Sequence, residues 1–265
     1  MRLDNTVRIY GDEPFRVAAL HGGPGAPGYM APVARELSCH VGVLEPLQTA
    51  DSLDGQIDEL RAQLSPYDKE GFTLIGSSWG AVIAIFLAGR YKGIAEKLIL
   101  VGSAVFDEYH SSLVKENRLN RLAIDDRRRI EVLASRMKGA AGKERAAMFK
   151  EWADLHFEPD VYDPLTRDLE VIETQPLVNE RVWNDFKILR DEPGRLQREF
   201  SGIDIPVVVI HGDYDPHPID GIRPYLSQWI PQTSFHILAN CGHYPWIEKH
   251  ARDEFFRILR TAISV

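Results

Sequence analysis

Ser78 lies in Gly76-Ser77-Ser78-Trp79-Gly80, a G-x-S-x-G pattern between two apolar runs. Residues 72–75 read as a buried strand, and residues 81–88 as a helix without a polar face. A serine on the sharp turn between such a strand and helix is forced outward, with its hydroxyl at the carboxyl edge of the sheet. A side chain at either flanking glycine would collide with the turn. Ser78 is therefore the candidate nucleophile.

A serine hydroxyl is a weak nucleophile near neutral pH. It needs a base in hydrogen-bond reach, and the base needs an orienting carboxylate. Two later loops offer these groups in the order Ser, Asp, His. One follows the apolar run 206–210 and reads His211-Gly212-Asp213-Tyr214-Asp215-Pro216. The other follows the run 235–238 and reads Ala239-Asn240-Cys241-Gly242-His243-Tyr244. Asp215 is the preferred acid. Asp213 sits closer to its strand and is expected to hold the loop by backbone hydrogen bonds. His243 is the preferred base because it follows the last strand, with Gly242 giving the backbone freedom to aim it. His21, His211 and His217 are loop histidines, for which a structural role is the plainer reading.

Acyl transfer also needs two backbone N–H groups aimed at the developing oxyanion. Trp79, next to the nucleophile, is expected to supply one. Gly23, in the loop His21-Gly22-Gly23-Pro24-Gly25, is expected to supply the other; the alternative is an ordinary Gly-Pro turn. His211, Asp213, Asp215 and His217 alternate like metal ligands. On an irregular proline-bearing loop, however, alternation makes no shared face, and no metal is expected.

The chain that must position these groups has 265 residues, 44% of them apolar, and a net charge of −8. That charge argues against nucleic acid or an anionic membrane as a partner. No apolar stretch reaches the length of a membrane span, and the first residues lack the apolar core of a leader. Cys39 and Cys241 lie too far apart in sequence for a disulfide framework or metal spacing, which suits a reducing cytoplasm.

Short apolar strands alternate with helical spacing through the first hundred residues, at 17–20, 41–44, 72–75 and 97–102. Ile57, Leu60 and Leu64 recur as on a helix, with Asp51 or Ser52 as its cap. Fully apolar strands in this rhythm predict a parallel sheet covered on both faces. From 105 to 201 the strands stop, and helical spacing takes over (Ile130, Leu133, Met137; Met148, Trp152, Leu155; Val178, Val182, Phe186, Leu189). The expected fold class is α/β: a mostly parallel central sheet with helices on both faces and an inserted helical cap. The core is expected over 1–104 and 202–265, the cap over 105–201.

These segments resemble the α/β-hydrolase superfamily along nearly the whole chain, with Ser78, Asp215 and His243 at its triad positions. Within it, His21-Gly22-Gly23-Pro24-Gly25 and Ser78-Trp79-Gly80 resemble the prolyl iminopeptidase family of serine peptidases. That family releases an N-terminal residue from short peptides without a cofactor. The resemblance thus implies a small-molecule or short-peptide substrate and a carboxylate for its ammonium group. Glu170 and Glu173 are the candidates, with solvated glutamates as the alternative. Two features depart from the family. Gly76-Ser77 stands where two glycines usually precede the nucleophile, and Glu45-Pro46-Leu47-Gln48-Thr49 replaces an Arg-Gly-x-Gly-x-Ser stretch. A carboxylesterase or C–C hydrolase of a small metabolite uses the same triad, and a non-catalytic receptor uses the same fold.

Overall fold

Strands that are apolar on both sides must be covered on both faces. The computed structural model describes residues 2–4 and 6–263. Among these, eight strands form one sheet: β1 (Arg2–Asp4), β2 (Val7–Tyr10), β3 (Phe15–Leu20), β4 (Gly42–Pro46), β5 (Phe72–Ser77), β6 (Ala95–Val101), β7 (Val207–Gly212) and β8 (Thr233–Leu238). Their spatial order is β1-β2-β4-β3-β5-β6-β7-β8. The pairs from β4 through to β8 are parallel, whereas β1 pairs with β2, and β2 with β4, antiparallel. Sequence reading passed over β1 and β2. Val7 and Ile9 alternate with Arg8 and Tyr10 over only four residues, too short to stand out as an apolar run.

The period of two along each strand divides the core. Ala18, Leu20, Leu74, Leu98, Leu100 and Val209 pack on one face, with α2 (Leu53–Leu64) and α3 (Trp79–Arg90). Val17, Ala19, Ile75, Ile99, Val101 and Ile210 pack on the other, with α1 (Ala31–Leu37) and the C-terminal helix. Helix α3 is buried from Trp79 to Ala88, and only its last two residues reach the surface. Of the two expected caps for α2, Ser52 takes the place: its side chain accepts from the Gly55 N–H at 3.1 Å.

Between β6 and β7 the chain builds five helices: α4 (Glu108–Arg121), α5 (Ile124–Met137), α6 (Gly142–Asp160), α7 (Pro176–Asp191) and α8 (Arg195–Phe200). Pro176 opens α7, but Pro159 is carried inside the last turn of α6 and does not end it. After β7, α9 (Arg223–Trp229) leads to β8, and α10 (Arg252–Ile263) closes the chain with Phe255, Ile258 and Leu259 buried. Among the described residues, no helix is long and apolar enough to cross a membrane.

Candidate active site

Ser78 stands between β5 and α3 with φ 56° and ψ −117°, a backbone conformation that costs a non-glycine residue energy and is held by its surroundings. Its neighbours leave no alternative. A Cβ at Gly76 would lie 2.1 Å from the Gly80 carbonyl oxygen, and one at Gly80 would lie 2.1 Å from that of Leu20. The Ser78 N–H donates to Val101 O at 2.9 Å, which ties the turn to β6. Trp79 is the first residue of α3, so its backbone N–H has no acceptor within the helix. Its indole is fully buried, donates to Gln56 Oε1 at 2.7 Å, and packs edge-on against Trp183 and Phe186 of α7.

The fold brings Asp215 and His243 together. Asp215 Oδ2 accepts from His243 Nδ1 at 2.7 Å, and both side chains are buried. Burial alone would raise the Asp215 pKa. The neighbouring His243, His211 and His217 overcome it and hold the carboxyl well below its ordinary range. Burial likewise disfavours charge on His243, but Asp215 outweighs it and raises the imidazole above its ordinary value. The carboxylate can only accept, so Nδ1 carries the ring proton, and Nε2 of the neutral ring is a lone pair. Asp213 is exposed, and its Oδ1 accepts from the Cys241 N–H at 3.2 Å, joining the two loops through backbone.

The other loop histidines are structural or adjacent. His21 is buried, with its pKa pushed down to about 4 by desolvation. Its Nε2 accepts from Gln48 N–H at 3.1 Å and its Nδ1 meets Gly22 O at 2.9 Å, which shapes the glycine loop. His211 Nε2 donates to the His217 carbonyl at 2.8 Å. The donor groups gathered within 4.8 Å of one another are those of Asp215, His217 and His243. This differs from the alternating four read from the sequence: Asp213 faces outward, and His211 is not in the group, its Nε2 being engaged by the His217 carbonyl. Gly242 differs in its reason: a Cβ there would lie 2.2 Å from Asp160 O and 2.6 Å from Glu248 Oε1, so close approach requires this glycine.

Ser78, Gly23, His217, His243 and Tyr244 line one cavity of about 1310 Å³, whose remaining wall comes largely from α4, α5, α6 and α7. The inserted segment touches both halves of the site. From α7, Trp183 Nε1 donates to Gly23 O at 3.0 Å and Asn179 Nδ2 to Pro24 O at 2.9 Å. At the end of α6, Asp160 O accepts from the His243 N–H at 2.6 Å. The Asp160 side chain is buried in a two-pronged pair with Arg118 of α4, at 2.6 and 2.7 Å. The buried carboxylate of Glu248 accepts from Tyr162 N–H, Asp163 N–H and Gly242 N–H at 2.7, 2.8 and 2.9 Å. Sequence reading found neither Arg118–Asp160 nor Glu248, since each depends on partners far along the chain.

The two cap glutamates part ways. Glu170 is engaged by Arg35 at 3.1 and 2.6 Å and does not line the cavity. Glu173 does line it, with Oε1 accepting from Gln175 Nε2 at 2.7 Å.

The family model described as alpha/beta hydrolase fold matches residues 20–250, and the chain belongs to this family. A search of curated protein sequences finds no match. Solved structures share the fold at low identity. VinJ superposes with a TM-score of 0.65 at 18% identity, over 97% of this chain and 93% of the other. The proline iminopeptidase of Mycobacterium smegmatis gives 0.63 at 18%, over 97% and 93%. The esterase EaEST of Exiguobacterium antarcticum gives 0.63 at 17%, over 98% and 95%.

Proposed function

We propose that this protein is a serine hydrolase acting through an acyl-enzyme. The observation that carries the reading is the buried Asp215–His243 pair, 2.7 Å apart, beside a cavity that Ser78 also lines. In the reaction, His243 Nε2 takes the Ser78 hydroxyl proton as Oγ bonds to the substrate carbonyl carbon. The N–H groups of Gly23 and Trp79 hold the oxyanion. His243 then gives the proton to the leaving group as its bond to the acyl carbon breaks. Water repeats the sequence to free the acid, and no cofactor is needed. The segment 105–201 acts as a cap on a core made of 1–104 and 202–265. The two cysteines are free thiols, which fits a reducing compartment.

Two substrate classes remain in play. Glu173 at the cavity wall supports an aminopeptidase, since a carboxylate there can hold an ammonium group. Val114, Leu119, Leu122, Ile130 and Phe149 on the same wall support a small apolar ester. Proline and alanine arylamides compared with short p-nitrophenyl esters decide between them. Ester-only turnover retires the aminopeptidase, and Glu173→Gln should raise KM only for amine-bearing substrates if it does not. Ser78→Ala should lower kcat by several orders of magnitude in a folded protein. An alanine variant that keeps most of its turnover, or a Ser78 that resists fluorophosphonate labelling, would refute the whole reading.

A further inference from the structure

His217 takes no part in the reaction above, yet it is held as firmly as His243. Its backbone N–H and its Nδ1 both meet Asp215 Oδ1, at 2.9 and 2.8 Å. Its carbonyl is fixed by His211 Nε2. Its ring stacks on that of His243, with centroids 4.5 Å apart and planes 25° apart. Asp215 therefore carries one imidazole on each carboxylate oxygen.

This arrangement fixes the chemistry of the exposed edge. The ionised carboxylate accepts only, so His217 Nδ1 bears the ring proton and Nε2 is a lone pair. Desolvation pushes the His217 pKa down to about 4, so the ring stays neutral near pH 7. The edge on Asp215 is sealed, because the Asp215 side chain is 0% exposed, whereas the His217 side chain keeps 10%. That opening faces the cavity, which His217 lines. Among the described residues, Nε2 has no hydrogen-bond partner. Two imidazole acceptors thus stand side by side on the cavity wall.

Their neighbourhood says which part of a substrate meets the second one. In acyl transfer the catalytic imidazole hands its proton to the leaving group, while the oxyanion donors hold the acyl side. A ring stacked on His243 borders the leaving group. We propose that His217 is a specificity-determining residue whose Nε2 accepts a hydrogen bond from an O–H or N–H on the leaving group, a few bonds beyond the scissile bond. The substrate class is then an acyl derivative of a donor-bearing alcohol or amine, such as a diol ester, in preference to a simple alkyl ester. The assignment rests on the serine-hydrolase reading of the site.

The test compares kcat/KM for 2-hydroxyethyl butyrate, 2-methoxyethyl butyrate and ethyl butyrate, in wild type and in His217→Phe. Phenylalanine keeps an aromatic ring to stack on His243 and removes the acceptor. Wild type is expected to favour the hydroxyl ester by about tenfold over the other two, the yield of one hydrogen bond. In His217→Phe all three rates fall together, because Asp215 also loses a donor, and the preference falls to near one. A merely structural role lowers the rates without changing their ratio. Should the variant fail to fold, the hydroxyl-against-methoxy comparison in wild type still decides. A wild type with labelled Ser78 but no preference, or a preference that survives in His217→Phe, overturns the assignment alone. Absent fluorophosphonate labelling of Ser78 overturns the hydrolase reading beneath it and this assignment with it.

Discussion

At the scale of single residues, Asp215 and Asp213 separate two jobs that the sequence places only two positions apart. Asp213 joins two loops through a Cys241 N–H, while Asp215 is sealed beneath three histidines. In the proposed mechanism, Asp215→Asn should lower kcat by about 10⁴, because the wrong tautomer of His243 is then favoured. Asp213→Asn should cost far less, and the reverse order in steady-state kinetics would exchange their roles. A pH profile gives an independent check. The base must be neutral to take the serine proton, and the His243 pKa is raised. Activity is therefore full at higher pH and lost as pH falls, with the acid limb of kcat/KM above the ordinary imidazole value of about 6.5. Without the Asp215 charge, burial loses its main opponent and only Asp160 still favours the charged ring, so the limb in Asp215→Asn moves to lower pH.

Among the elements, the tight junctions matter more than the lengths. Gly80, in the first turn of α3, lies against the Leu20 carbonyl at the end of β3, with no room for a methyl group. Gly80→Ala should push α3 away from the glycine loop and destabilise the protein by about 1–3 kcal/mol. A denaturant midpoint unchanged from wild type would contradict that. The same elements explain what the sequence made legible. Strands β3 to β8 could be read because most carry a run of apolar residues, and the candidates Ser78, Asp215 and His243 come from the segments that follow three of these strands. Strand β2 could not, being four alternating residues, and neither could α4, whose only buried side chain is Val114. His217, Asp160 and Glu248 acquire their meaning from partners brought close by the fold, as when Glu248 gathers N–H groups from 162, 163 and 242. Spacing along a chain carries no signal for such contacts.

For the whole molecule, the packing of the inserted helices on one another is the place to test stability. Arg118 on α4 and Asp160 on α6 form a pair of which the aspartate is buried. Arg118→Met leaves a carboxylate without its cation, and should cost about 3 kcal/mol in chemical denaturation. Restoring an uncharged pair with Arg118→Met and Asp160→Leu together should recover part of the loss. Recovery of none would mean that the guanidinium contributes packing alone. The Asp160 carbonyl is at the same time the acceptor for the His243 N–H, and α7 grips the Gly23 and Pro24 carbonyls. In the proposed reading, the helices that line the cavity therefore also hold the loops that carry His243 and Gly23. Grafting the corresponding segment from a relative, in the hope of importing that relative's diet, would slow the chemistry as well as change the menu. New selectivity is more safely sought by altering side chains on those helices while leaving their grips on the sheet loops intact.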